Sequence, residues 1–231
     1  DTVGPLVRTV SDAALMHAAL TGDNLVDLSG TNLQGMRFAS LQTLVLDDIR
    51  EAPMAAYTTA LGKLRDAGAE ILDIEAPELT GPMADSAMLF TAEAWGIWGD
   101  TIQASPDVMF GPIRDRFASG AEHKAADYIA AWRRLDAARA TWAARVAGFD
   151  AVLCPTAPIL PPNADRLMQD GAYYVTENLL ALRNTRVGNL MGTCALTLPT
   201  HVPSCGLQLI GAPFQEARLL RVGQAVEAAL N

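Results

Sequence analysis

Apolar positions recur along this chain with two periods, and their alternation predicts an α/β fold. Near the start, Ser11 suits the N-cap of a helix, with Asp12 in its first turn to complement the helix dipole. Val10 and Leu15 fit a hydrophobic staple across that start, and Gly22 suits the left-handed position that closes the helix. After a polar loop, Met36 to Leu46 mixes apolar and polar residues in the manner of a half-buried strand. Met54, Tyr57, Leu61 and Leu64 then recur at helical spacing up to Gly68, and Ala69 to Ile74 forms a second strand that Ala76-Pro77 stops. Strand, helix and strand of these lengths make a βαβ unit with parallel strands.

Met83 to Gln103 reads as a helix interrupted near Gly96 and Gly99. Tyr128, Trp132, Leu135, Trp142 and Val146 mark one face of a long helix, with Arg133, Arg134 and Arg145 on its solvated surface. That helix leads into Gly148–Pro162, where the apolar run Ala151 to Cys154 has the look of a strand buried on both faces. Pro155 and Pro158 cannot donate to a ladder, so the strand ends there. Ligands of open α/β sheets bind beyond the carboxyl ends of strands, which makes the Cys154-Pro155-Thr156 corner a candidate wall of a site. Further on, the pattern predicts a loop through Gly171, a helix from Tyr173 to Arg183, and strands at Ala195 to Leu198 and from Gly206. A last helix carries Leu219, Val222, Val226 and Leu230 on one stripe. With no repeat and no low-complexity linker, the chain reads as one continuous α/β unit.

Composition narrows the function classes. Half of the 231 residues are hydrophobic and 19% are charged, as in a soluble globular protein. The net charge of −9, with arginines interspersed among acids, gives no basic stripe for nucleic acid. No apolar run approaches the ~18 residues that cross a bilayer, so no membrane partner is expected. Cys154, Cys194 and Cys205 form no Cys-x-x-Cys pair, and His17, His123 and His201 are not at ligand spacing, so neither a metal nor another cofactor is expected. Buried free thiols fit a reducing, cytoplasmic setting. The chain opens without Met and runs within ten residues into a capped helix, which suggests that Asp1 is not the natural beginning of the protein.

Catalytic chemistry is sparse. There is no Gly-x-Ser-x-Gly elbow and no phosphate-binding glycine loop. Cys154 at a strand end and His201 in a loop leave two readings open, a Cys–His pair or a core cysteine beside an exposed histidine.

Five blocks, in order, resemble the amidase signature family of hydrolases. They are Asp1-Thr-Val-Gly-Pro-Leu-Val-Arg-Thr-Val-Ser-Asp-Ala-Ala-Leu; Gly35-Met-Arg with Leu64-Arg-Asp-Ala-Gly-Ala-Glu; Phe149-Asp-Ala-Val-Leu-Cys-Pro-Thr-Ala-Pro; Asn189-Leu-Met-Gly through Leu196-Thr-Leu-Pro; and Gly206-Leu-Gln-Leu-Ile-Gly. The resemblance covers essentially the whole chain. It implies an α/β fold with a mixed, largely parallel central sheet flanked by helices, residues 1–231 forming the C-terminal part of a single amidase domain. It also implies hydrolysis of a carboxylic amide to acid and ammonia or amine, through an acyl-enzyme on a Ser–cis-Ser–Lys triad. All three triad residues lie upstream of the segment that Asp1 begins, and Lys63 and Lys124, the only lysines, sit in no matching motif. No catalytic residue is therefore assigned to this chain, which is expected to be inactive alone and to have the missing N-terminal half of the enzyme as partner. A homodimer is left open.

For substrate binding, the resemblance implies that Thr156 lines the cleft and that Arg116, in Arg-Phe-Ala-Ser-Gly, holds a substrate carboxylate by a bidentate fork. A structural ion pair with a neighbouring acid is the other reading of Arg116. Gln208 and Asn189 are expected to satisfy backbone groups around the strands. Cys194 stands where many relatives have proline, and the loop from Thr200 to Cys205 is short. Leu182 and Arg183 occupy the neighbourhood where amidotransferase relatives carry an acid, so a small linear amide is the expected substrate. The alternatives are a non-catalytic binding module and the amidase component of a glutamine-dependent tRNA amidotransferase.

Overall fold

The computed structural model describes residues 3–231. Their contacts group into two compact units, one built from the chain up to Ala76 together with Ala143–Asn231, the other Pro77–Trp142.

The first unit opens with helix α1 (Val10–Thr21). Its cap is Thr9, whose Oγ1 accepts the Asp12 N–H at 3.1 Å, so Ser11 lies inside the first turn rather than at the cap. The staple does not form: Val10 is buried while Leu15 is 60% exposed. Gly22 closes α1 as expected, at φ 77° with its N–H on Ala18 O. Strand β1 (Arg37–Leu41) is shorter and more buried than the pattern of Met36 to Leu46 suggests. Left-handed backbone at Leu44 and Asp48 turns the chain, and Val45 is buried from a loop rather than from a strand. Helix α2 (Glu51–Asp66) and strand β2 (Glu70–Ile74) complete the βαβ unit, with β1 and β2 parallel. Gly68 makes that turn at φ 97°, where a Cβ would meet Gln34 Oε1 at 2.4 Å.

The second unit is helical. Helix α3 (Thr80–Ala104) runs through Gly96 and Gly99 without the expected interruption. A helical glycine costs only about 1 kcal/mol, and at Gly99 the missing side chain makes room for the Trp95 ring, 3.1 Å from where a Cβ would stand. Helix α4 (Gly111–Ala118) follows, then α5 (Ala125–Val146), whose last four residues belong to the first unit; it buries Leu135 and Trp142 and exposes Arg133, Arg134 and Arg145.

Back in the first unit, β3 (Ala151–Pro155) is buried along its whole length. The expected loop beyond Pro162 contains a short helix, α6 (Ala164–Gln169). Helix α7 (Gly171–Met191) continues well past Arg183, N-capped by Asp170 and ended by Gly192 at φ 66°. Strands β4 (Ala195–Pro199) and β5 (Gly206–Ile210) form a hairpin, and α8 (Glu216–Leu230) buries the expected stripe of Leu219, Val222, Val226 and Leu230.

The sheet order is β2-β1-β3-β5-β4. β1 is parallel to both β2 and β3, whereas β5 is antiparallel to β3 and to β4. Four strands therefore run one way and β5 runs the other, the mixed, largely parallel sheet that the resemblance implies. One sheet face, carrying Phe38, Leu153, Leu198, Leu207 and Leu209, packs in a core with α1, α2 and α8. Burying each such side chain stabilises the fold by about 1.5–3 kcal/mol. Strand alternation sends Ala39, Cys154, Thr197 and Gln208 to the opposite face. Among the described residues no helix is long and apolar enough to cross a membrane.

Candidate functional site

The carboxyl end of β3 is held from several directions. The Thr156 N–H donates to Gly206 O at 2.9 Å, and its hydroxyl bonds Thr197 Oγ1 at 3.3 Å. Gly206 makes that contact possible, since a Cβ there would stand 2.6 Å from Thr156 Oγ1 and 2.9 Å from Thr197 Cγ2. Thr156 remains partly open to solvent, so its side chain can face a ligand. The loop beyond it is tied back by the Arg50 N–H on Pro158 O at 2.9 Å. The Arg50 guanidinium pairs with Glu177, a carboxylate only 2% exposed on α7.

Seven residues further along α7, Asn184 is fully buried. Its Nδ2 donates to Val45 O at 3.0 Å and to Pro155 O at 2.8 Å. Arg183 donates from Nε to Asn184 Oδ1 and from a terminal nitrogen to Val45 O. Burial pulls the Arg183 guanidinium below its ordinary value, against the opposing field of Asp47 and Asp48.

The thiols are not set up for nucleophilic attack. Cys154 is fully buried in β3, and burial pushes its thiol up to about 12, so it is neutral at physiological pH. His201 sits in an exposed turn at φ 63°. Cys154 is therefore a core residue, and the Cys–His reading fails on protonation and access. Burial also raises Cys205 and, together with the nearby Glu216 carboxylate, Cys194, whose Sγ donates to Ala212 O at 3.1 Å.

Arg116 lies in α4 of the helical unit and is half-buried. Its neighbour Arg114 takes Asp115 at 3.0 Å, while the Arg116 guanidinium forms no ion pair among the described residues. The structural ion pair considered for Arg116 is thus absent from them.

The polar residues expected to serve the strands are partly misplaced. Asn189 is exposed, and the backbone-satisfying amide of α7 is Asn184, five residues earlier. Gln208 is buried at 2% exposure, but its Nε2 has no partner among the described residues. Sequence pattern does not single out Asn184, Glu177 or Thr197. The available signal is a polar residue on an apolar helix face: Asn184 stands three and seven positions before the buried Val187 and Met191, and seven after Glu177.

A groove of about 770 Å³ follows the outer edge of β4. The segment from Val3 to Val10 forms one wall, and Gln208 and His17 line it. His17 Nδ1, like Gln208 Nε2, is a buried polar atom without a partner among the described residues. Val3 and Leu6 are exposed beside it.

Comparison with known proteins places this architecture. The model of the family described as "Amidase" matches residues 1–220. A 2-amino-5-chloromuconic acid deaminase of Comamonas testosteroni is 30% identical, with all of this chain aligned to 52% of that protein. An amidase of Pseudomonas putida is 27% identical, over 99% of this chain and 53% of its own length. One component of the glutamyl-tRNA(Gln) amidotransferase of Chloroflexus aurantiacus is 28% identical, over 98% of this chain and 54% of its own length. A crystal structure of an amidase superposes with a TM-score of 0.79 at 24% identity, over 99% of this chain and 52% of that one, and shares the fold. The chain spans about half the length of the curated relatives it matches. It belongs to the amidase family, whose signature hydrolases its five sequence blocks resemble.

Proposed function

We propose that this chain is the C-terminal part of a single-domain enzyme that hydrolyses a small linear amide, its Ser–cis-Ser–Lys triad supplied upstream of residue 1. The lysine amine accepts the proton of the bridging serine, which accepts that of the nucleophile. The nucleophilic oxygen bonds to the amide carbon, and the proton passes back through the bridging serine to the leaving nitrogen as the C–N bond breaks. Water, deprotonated by the same relay, then releases the acid from the acyl-enzyme. Backbone N–H groups beside the nucleophile hold the oxyanion, commonly the largest electrostatic contribution to acyl transfer. This chain contributes Thr156 as one wall of the cleft and Arg116 as the fork for a substrate carboxylate.

The observation that carries this reading is the end of β3, where Thr156 stands half-open at the carboxyl end of the central strand with its hydroxyl braced on Thr197. The guanidinium of Arg116, which forms no ion pair among the described residues, supports its part. The groove along β4 supports a partner: an open strand edge, exposed apolar residues and two polar atoms unmet among the described residues fit the missing half of the same protein. Three free thiols support a reducing, cytoplasmic setting.

A second reading, the amidase component of a glutamine-dependent tRNA amidotransferase, draws on the likeness to the Chloroflexus protein. Against it stands Arg183, in the neighbourhood expected to carry an acid and already committed to Asn184 and Val45.

The test is ammonia release from aliphatic, aromatic and amino-acid amides by the full-length protein and by this chain alone. Turnover is expected only from the full-length protein, and Arg116→Ala should raise KM for carboxylate-bearing amides about tenfold or more. Turnover by this chain alone would sink the upstream placement of the triad.

A further inference from the structure

We infer that Asn184 is a positioning residue that sets the orientation of Thr156; the inference rests on the proposed role of Thr156 as a wall of the substrate cleft. Peptide geometry links the two residues. The Pro155 carbonyl and the Thr156 N–H belong to a single planar unit. Asn184 Nδ2 holds the oxygen of that unit at 2.8 Å, and Gly206 O holds its N–H at 2.9 Å. With both ends fixed, the plane cannot rotate, so the N–Cα bond from which the Thr156 side chain is carried is set. The Thr156 hydroxyl then reaches Thr197 at 3.3 Å.

Asn184 suits this task because its amide supplies two donors and an acceptor oxygen, and all are used. The second donor binds Val45 O at 3.0 Å, and Oδ1 accepts from Arg183 Nε at 3.2 Å. Asn184 thereby ties the turn after β1 to the end of β3 from a third element, α7. Glu177, two helical turns earlier, engages the same pair of segments through Arg50, whose N–H donates to Pro158 O. A residue serving only as core filler needs no donors directed at two carbonyls, one in the turn after β1 and one at the end of β3. Leucine fills nearly the same volume without leaving a polar group to satisfy.

The test uses the full-length enzyme with Asn184→Asp, which keeps the shape and removes both donors, Thr156→Val, and the double variant. Asn184→Asp should lower kcat/KM about tenfold, and on the Thr156→Val background it should lower it less than about threefold further, because residues acting through one another are not additive. Amide hydrogen exchange at Thr156 should quicken in Asn184→Asp while the core strands keep their protection. If the buried carboxylate prevents folding, Asn184→Ser, which retains one donor, should give a loss between the wild type and Thr156→Val. Normal kcat/KM in a folded Asn184 variant, beside a damaging Thr156→Val, overturns the positioning role alone. Fully multiplicative losses overturn it as well. An inert Thr156→Val overturns both this role and the substrate wall on which it rests.

Discussion

The sheet has two edges, and they are built differently. At one, β2 reads Glu70-Ile-Leu-Asp-Ile, with two carboxylates on an exposed strand and Glu70 paired to Arg37 at 3.0 Å. At the other, β4 reads Ala195-Leu-Thr-Leu-Pro and carries no charge. Natural proteins blunt free strand edges with charge because unpaired N–H and C=O groups recruit other strands. β2 has that protection. β4 has only the terminal Pro199, and beside it lie a groove, the exposed Val3 and Leu6, and two buried polar atoms with no partner among the described residues. Under the proposed function, this uncharged edge is the one that the complete protein covers, in keeping with a chain spanning half its relatives' length.

The sharpest way to break this comparison is to give both edges the same charge in the full-length protein. Ala195→Lys on β4 should cut amide-hydrolysing activity at least tenfold, since an ammonium forced into a dry interface costs on the order of a few kcal/mol. Leu72→Lys on β2, 39% exposed in the wild type, should leave activity within about twofold. Equal losses at the two edges, read as specific activity at matched protein concentration, would show that β4 is as free as β2.

A smaller effect is expected just inside the open edge. Gly206 lies between Thr156 and Thr197, where an added methyl group must displace side chains already in contact. Gly206→Ala should destabilise the protein by about 1–3 kcal/mol, the usual cost of overpacking, seen as a lower urea midpoint with an unchanged slope. A neutral Gly206→Ala would mean that the Thr156 hydroxyl is free to move away from Thr197, and the bracing of the cleft wall would lose its basis.

Sequence pattern and structure agree where burial follows the local period. The β3 run, the parallel βαβ unit and the apolar stripe of α8 all qualify, because each buries side chains at the spacing of its own element. They part where a long-range contact decides. Val45 is buried from a turn, so its hydrophobicity reads as a longer β1. Gly99 is a local exception, since it accommodates the ring of Trp95 one turn earlier in a continuous α3, and a residue that weakens helices in isolation marks no break here. At the site, Thr156 is legible as a residue after a proline-ended strand, but its braces are not. Asn184 lies 29 positions from Pro155 and 139 from Val45, and Thr197 lies 41 from Thr156, distances over which sequence periodicity carries no information.

The smallest expected effect tests how α7, which carries Asn184, is started. Asp170 caps this helix, accepting the Tyr173 N–H at 3.0 Å and pairing with Arg166 at 3.2 Å. The Tyr173 N–H first, and then Arg166, hold the Asp170 carboxyl below its ordinary value. A depressed folded value means that the charged cap stabilises the helix above the unfolded value of about 3.9 and is lost as pH falls through the lower folded one. The first turn of α7 should therefore loosen only in acid, below about pH 4, with the Tyr173 amide resonance moving through that range in an NMR titration. Asp170→Asn keeps an acceptor at the cap but removes the titrating charge, so the Tyr173 resonance should stay nearly still over the same interval. Because Asp170 lies at the surface, the rest of the sheet, β4 included, should be insensitive to this change. A titration that moved β4 resonances together with Tyr173 would couple the start of α7 to the open edge.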